Sequence, residues 1–268
     1  MYTLTNLPTI LKVKHQLNSV YLKRVVELEF LYPEELLNYE KLNLLLLNDG
    51  QDLVELNLEN TLVDLYSKRA IEPFLIVAIS ASIDRLQEYG VAGVPDFKGR
   101  GSKAAAYTNF IIKELYPFIE TTMKLPVNGK RAIAGSSLGG LSAFDIAWNN
   151  ESFFDAVGVF SASFWWRKKD LHDGYQNSDR IMHQVIKNHP GKPELKFWLM
   201  TGTEDETSDR NHNYIIDSID DTIDIIKELI DKGYQRPSDI RYYEMVGGAH
   251  NVATWAKVFP SFLCWAFS

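Results

Sequence analysis

Arg131-Ala132-Ile133-Ala134-Gly135-Ser136-Ser137-Leu138-Gly139-Gly140-Leu141-Ser142-Ala143-Phe144-Asp145-Ile146-Ala147 opens on an apolar run, passes through a glycine-rich turn and continues as a helix-forming segment. Strand, sharp turn and helix in that order are the setting of a nucleophile elbow. Gly135 and Gly139 flank Ser137 as G-x-S-x-G, and without a Cβ they let the backbone take the angles that lift a serine hydroxyl clear of a sheet. Ser137 is therefore the candidate nucleophile. Centring the motif on Ser136 would need glycines where Ala134 and Leu138 stand.

An activated serine needs a base, and the base needs an orienting acid, in the chain order nucleophile, acid, histidine. The apolar run Phe197-Trp198-Leu199-Met200 leads into Thr201-Gly202-Thr203-Glu204-Asp205-Glu206, which sets carboxylates just past a strand end. Asp205 is the favoured acid, with Glu204 and Glu206 as alternatives. Tyr242-Tyr243-Glu244-Met245-Val246 leads likewise into Gly247-Gly248-Ala249-His250, which supplies the base. His15, His172, His183, His189 and His212 lack such a setting. An oxyanion hole needs two backbone NH groups, one from the residue after the nucleophile and one from the loop after an early strand. Leu138 is the first; Gln51, in Asn48-Asp49-Gly50-Gln51-Asp52 after Leu44–Leu47, is assigned as the second.

Around these loops, short apolar runs alternate with helical patterns, so the fold class is α/β, a mostly parallel central sheet with helices on both faces. Strands are expected at Tyr21–Leu31, Leu42–Leu47, Phe74–Ile79, Arg131–Ala134, Ala156–Phe160, Leu195–Met200 and Ile240–Val246. The first two are expected to pair antiparallel at an edge, because Pro33–Tyr39 is too short for a helical crossover. Helices are expected at Ala104–Thr122, Leu138–Asn149, Tyr214–Lys232 and Val252–Ala266; in the third, Ile215, Ile216, Ile219, Ile223, Ile226, Leu229 and Ile230 form an apolar stripe read as core. At 268 residues and 46% hydrophobic content the chain can build one large core, so residues 1–268 are read as one domain. A net charge of −7 argues against nucleic acid as the main partner. No apolar stretch approaches the roughly 18 residues that span a bilayer, and Met1–Val20 lacks the order of a signal peptide, so a cytoplasmic location is expected. The single cysteine, Cys264, lies in an apolar run and reads as a buried structural thiol.

The segments LLLLNDGQDL, VAIS followed by DRLQEY, AYTNFIIKELYPFIE, RAIAGSSLGGLSAFDIA, FFDAVGVFSASFWW, TGTED and GGAHNVATW, spread over nearly the whole chain, resemble the putative esterase family of α/β-hydrolases. That family includes feruloyl esterases, S-formylglutathione hydrolase, mycolyltransferases and the esterases that open ferric enterobactin. The resemblance implies the α/β-hydrolase fold and selects Asp205 as the acid, at the fourth position of a Gly-x-x-Asp turn, and His250 in the Gly-Gly-x-His loop. Ser161-Ala162-Ser163-Phe164-Trp165-Trp166 and Arg85 are most similar to the siderophore-esterase branch, which implies substrate-binding roles for Arg85, Trp165 and Trp166; the alternatives are core packing for the two tryptophans and a surface salt bridge for Arg85. The extra N-terminal domain of cytoplasmic enterobactin esterases has no counterpart in the resemblance.

The run Asp209–Asp220 places oxygen-bearing side chains in a spacing close to a calcium loop, with Asp209, Asn211, Asn213, Asp217 and Asp220 as the candidate Ca2+ ligands. It departs from that pattern where Tyr214 stands for the turn glycine and where Asp220 stands for the bidentate glutamate. The alternative is a polar loop whose acids favour the first turn of a helix. The expected function is hydrolysis of a small-molecule carboxylic ester, siderophore-like or aromatic acyl, through an acyl-enzyme, with no cofactor required; an ion in the Asp209–Asp220 loop would be structural. An acyltransferase using the same triad, and a ligand-binding protein without catalysis, are the alternatives.

Overall fold

The computed structural model describes residues 7–268; residues 1–6, the start of the Met1–Val20 stretch, lie outside them. Its centre is an eight-stranded sheet of β1 (Ile10–Ser19), β2 (Arg24–Pro33), β3 (Leu44–Asn48), β4 (Leu75–Ile79), β5 (Arg131–Ser136), β6 (Ala156–Phe160), β7 (Lys196–Glu204) and β8 (Ile240–Ala249). The spatial order is β1-β2-β4-β3-β5-β6-β7-β8. From β4 to β8 every pairing is parallel, and β1–β2 and β2–β4 are antiparallel.

The central strands read as unbroken apolar runs because both faces are covered. Leu46, Val77, Ile133, Val157 and Leu199 point into one core. That core is roofed by α3 (Ala104–Phe110), α4 (Tyr116–Met123), α5 (Ser137–Asn149), α6 (Ile181–Asn188) and α7 (Asp217–Asp231). Leu45, Ile76, Ala132, Trp198 and Met200 point the other way, against α1 (Leu58–Ser67) and α8 (Val252–Phe267). Helix α5 is buried from Leu138 to Trp148, as expected of a helix clasped between a sheet and other helices.

Several elements differ from the sequence expectation. The strand expected at Leu42–Leu47 forms, but its neighbours are β4 and β5, not β2. The short connection through the 3-10 turn Glu34–Asn38 carries the chain past a vacant strand position, which β4 later fills by pairing antiparallel to β2. Strand β1 was not expected, since its outward face is Lys12, Lys14, Gln16 and Asn18 and only its inward face, with Leu11, Val13 and Leu17, is apolar. Helix α7 begins at Asp217, three residues after the expected start, and Ile215 and Ile230 of the supposed core stripe are exposed. Its buried face instead combines Ser218, Asp221 and Thr222 with Ile225, Ile226 and Leu229. The expected helix Ala104–Thr122 is one continuous coil whose middle, Ile111–Leu115, widens to a π-helix. Helices α1 and α6, and the short α2 (Arg85–Glu88), were also unexpected. Cys264 is half-buried against the α8-side core. Among the described residues, no helix is long and apolar enough to cross a membrane.

Gly158 marks where the α8 side is tightest: a Cβ there would lie 2.5 Å from the Phe262 ring. Gly158→Ala is expected to destabilise the fold by about 1–3 kcal/mol through overpacking, read as a lower denaturation midpoint; unchanged stability would show that α8 yields freely.

Candidate active site

Strand β5 ends at Ser136 and α5 begins at Ser137, so the chain reverses within a single residue. Ser137 carries that turn with φ +53°, a left-handed conformation that costs a non-glycine residue roughly 1–2 kcal/mol. The flanking glycines are required by contact. A Cβ on Gly135 would lie 2.4 Å from the Gly139 carbonyl oxygen, and one on Gly139 would lie 2.6 Å from Asp49 Oδ2. Ser137 itself is half-buried at the C-terminal edge of the sheet.

The acid and histidine loops leave the same edge from β7 and β8. They meet because Gly202 has no side chain: a Cβ there would be 2.2 Å from the Gly248 carbonyl oxygen. Asp205 is buried, and its carboxylate accepts from Ser161 Oγ at 3.0 Å, the Gly202 NH at 3.0 Å and Ser218 Oγ at 3.0 Å. These donors fix the orientation of the carboxylate and disperse its charge. Glu204 is exposed at the end of β7, and Glu206 is half-buried, its carboxyl pushed up by desolvation and by Asp217.

The His250 ring has a solvent-exposed side and packs edge-on against Trp255, centroids 5.3 Å apart. Partial desolvation lowers its pKa below the ordinary imidazole value; the Asp205 charge pulls the other way, and Arg85 adds to the lowering. Of the three neighbouring carboxylates, Asp205 is the one whose charge acts on the ring.

The loop after β3 approaches the elbow from the opposite side. Asp49 is buried with φ +59°. Arg85 grips its carboxylate with both Nε at 2.6 Å and Nη2 at 2.8 Å, and lies 5.1 Å over the Tyr89 ring. The Asp49 NH donates to the Tyr89 hydroxyl at 3.2 Å, and Asn48 Nδ2 donates to the Gly139 carbonyl at 2.8 Å, which ties the loop to the elbow itself. Gln51 is locked by its side chain, which donates to Asp49 Oδ1 at 3.1 Å and accepts from the Ala81 NH at 3.0 Å. Leu138 and Gln51 both stand in the first turn of a helix, where backbone NH groups have no intrahelical acceptor.

Arg85 and Trp166 are engaged within the fold, as the salt-bridge and core-packing alternatives expect. Arg85 is engaged with Asp49, which makes it a brace of the β3 loop. Trp166 is fully buried, packs on Gly90 and Gly101, and donates its indole NH to the Val94 carbonyl at 3.3 Å, so it has no face for a ligand. Trp165 is half-buried with the Arg100 guanidinium 4.8 Å from its ring centroid. The Asp209–Asp220 run is cross-linked by its own hydrogen bonds. Asp209 accepts from the Asn213 and Tyr214 NH groups, and Asn211 and Asn213 both donate side-chain NH to Asp220. Asp217 accepts from the Arg210 NH at 2.9 Å and pairs with its guanidinium at 3.3 Å. The loop's carboxylates thus accept from its own donors, and among the described residues no cluster of three or more His, Cys, Asp or Glu side chains is arranged to hold a metal. Ser161 and Ser218 were missed as partners of Asp205; for Ser161 the signal was its place just past the end of β6.

The chain matches the sequence profile of the family described as "Putative esterase" over residues 19–265. It belongs to that esterase family. Among solved structures, the enterobactin esterase from Shigella flexneri, determined in the presence of enterobactin, is similar with TM-score 0.76 at 17% identity; the match covers 97% of this chain and 59% of that one. A ferulic acid esterase is similar with TM-score 0.71 at 16% identity, over 97% of this chain and 98% of its own. A siderophore hydrolase from Aspergillus nidulans gives 0.68 at 17%, over 98% and 96%. The family member described here thus spans about three fifths of the Shigella protein's length and nearly all of the other two. At such identities the likeness establishes the fold, an α/β-hydrolase sheet with its helices.

Two outcomes follow from these contacts. Arg85→Ala leaves the buried Asp49 unpaired and is expected to cost about 2–3 kcal/mol, below the roughly 3–5 of a fully buried pair because Arg85 is 29% exposed; denaturant unfolding measures it. Millimolar calcium is expected to leave the melting temperature unchanged, and a clear rise would contradict the self-satisfied loop.

Proposed function

We propose that this esterase-family chain is a serine carboxylic-ester hydrolase with Ser137 as nucleophile, His250 as general base and Asp205 as the orienting acid. The observation that carries the reading is the left-handed Ser137 at a one-residue strand-to-helix turn, on the sheet edge from which the β8 loop brings His250, a histidine that feels the charge of a buried, triply hydrogen-bonded carboxylate. Family membership supports ester hydrolysis as the activity.

In this reading neutral His250 takes the Ser137 proton as Oγ attacks the ester carbonyl. The carbonyl oxygen becomes an oxyanion held by the Leu138 and Gln51 NH groups, each such donor being worth roughly 10²–10³-fold in rate. Imidazolium returns the proton to the departing alcohol, leaving an acyl-Ser137 ester. Water, deprotonated by His250, then releases the acid and restores the serine. Asp205 orients the ring and stabilises its charged form throughout. No step requires a cofactor. The solved relatives named for enterobactin, ferulic acid and siderophores support siderophore-like and aromatic acyl esters as the substrate class.

A fluorophosphonate is expected to add once to the wild-type protein and not to Ser137→Ala, by intact mass; a folded wild type that stays unmodified would reject the reading. Asp205→Asn should lower kcat by about 10⁴-fold, measured with an aryl ester. Because the base must be neutral and its pKa is lowered, activity should persist as pH falls to about 6.5 and be lost only below it, with the acid-limb midpoint under that ordinary imidazole value.

A further inference from the structure

We infer that Ser161 and Trp255 form a relay that positions the acid and the base together, which makes both of them positioning residues; the inference rests on the Ser137–His250–Asp205 reading. Ser161 follows directly on β6, is 1% exposed and holds φ +47°. A non-glycine residue keeps such a conformation only where surrounding contacts over-determine it. Here three contacts do so: the Ser161 NH donates to the Met200 carbonyl at 2.7 Å, the Trp255 indole NH donates to Ser161 Oγ at 3.0 Å, and Ser161 Oγ lies 3.0 Å from Asp205 Oδ1.

The direction of this chain is fixed by chemistry. An indole nitrogen can only donate and an ionised carboxylate can only accept, so the single hydroxyl proton goes to Asp205. The sulfur of Met200, 3.9 Å from the same oxygen, is a far weaker acceptor. Each bond polarises the next, so the indole NH strengthens the bond that Ser161 makes to the acid.

The same indole touches the base. Trp255 meets the His250 ring edge-on at 81°. It stands in the first turn of α8, whose cap residue Asn251 adjoins His250, and Thr254 Oγ1 accepts from the Ala249 NH at 3.0 Å. One side chain therefore sets the His250 ring by contact and Asp205 by way of Ser161. Packing alone does not require the indole bond: the buried indoles of Trp148 and Trp198 leave their NH groups without a partner.

The test is the rate of Ser137 phosphonylation by a fluorophosphonate, which needs no knowledge of the substrate. Ser161→Ala should slow it about 10- to 100-fold, and Trp255→Phe, which keeps a ring against His250 but removes the NH, about 3- to 10-fold. The double variant should be no slower than Ser161→Ala, because the NH acts only through that hydroxyl. In an Asp205→Ala background, Ser161→Ala should change nothing further. The charges acting on His250 are Asp205 and Arg85; with one donor fewer, Asp205 holds the imidazolium more strongly, so the acid limb in Ser161→Ala should move to higher pH. A wild-type rate in Ser161→Ala, effects that multiply with Trp255→Phe, or slowing that persists without Asp205 would each overturn the relay while the esterase reading stands. Should Ser161→Ala fail to fold, Ser161→Gly suits the left-handed angle and carries the same expectations. A folded wild type that is not labelled would reject the esterase reading and the relay with it.

Discussion

Everything at the functional edge of this sheet depends on the close approach of Gly135 to Gly139 across Ser137. With no Cβ on Gly135, β5 can turn into α5 within one residue against the Gly139 carbonyl, with none on Gly139 the Asp49 carboxylate can close over the turn, and the serine is left in a conformation it would not choose alone. The strain is held by contacts on both sides. Asn48 binds the Gly139 carbonyl, and the Ser163 NH donates to the Ser137 carbonyl at 3.1 Å. The elbow is thus clamped between the loops that leave β3 and β6, and the sheet order that makes those strands neighbours of β5 makes the clamp available.

The same device recurs around the site. Each functional loop leaves a parallel strand at its C-terminal end, where ligand crevices of open α/β sheets lie, and each is braced by a buried polar contact. Arg85 and Tyr89 hold Asp49 in the β3 loop, while Ser161, Ser218 and the Gly202 NH hold Asp205 after β7. Trp255 steadies His250 after β8. Loops braced in this way need little reorganisation as charge develops, which is the condition for electrostatic stabilisation of an oxyanion.

The parts legible in the sequence were those encoded locally. The G-x-S-x-G turn, the apolar runs of β5 to β8 and the polar loops that follow them are contiguous patterns: the turn offers Ser137, the strand ends offer His250 and the carboxylates Glu204 to Glu206, and the resemblance selects Asp205 among these as the candidate acid. What escaped depends on partners distant in sequence. The resemblance offers Arg85 as a substrate contact and its charge offers a salt bridge, and only the folded chain shows the partner, Asp49, 36 residues away. Trp166 reads as a pocket wall until Gly90 and Gly101 close over it. The oxygens of Asp209–Asp220 have a ligand-like spacing, but spacing does not reveal that the loop's own NH groups and Arg210 bond to them. Strand β1 was missed for a different reason, since an edge strand with a lysine-rich outer face carries only half of the apolar signal that the inner strands show.

The most direct measurement is a crystal structure of the protein after reaction with a fluorophosphonate, whose phosphoryl oxygen mimics the oxyanion. The account predicts phosphorus bonded to Ser137 Oγ, the phosphoryl oxygen between the NH groups of Leu138 and Gln51, and His250 lying between the adduct and Asp205. Phosphorus on another side chain, or an adduct on Ser137 whose oxygen turns away from both NH groups, would contradict it.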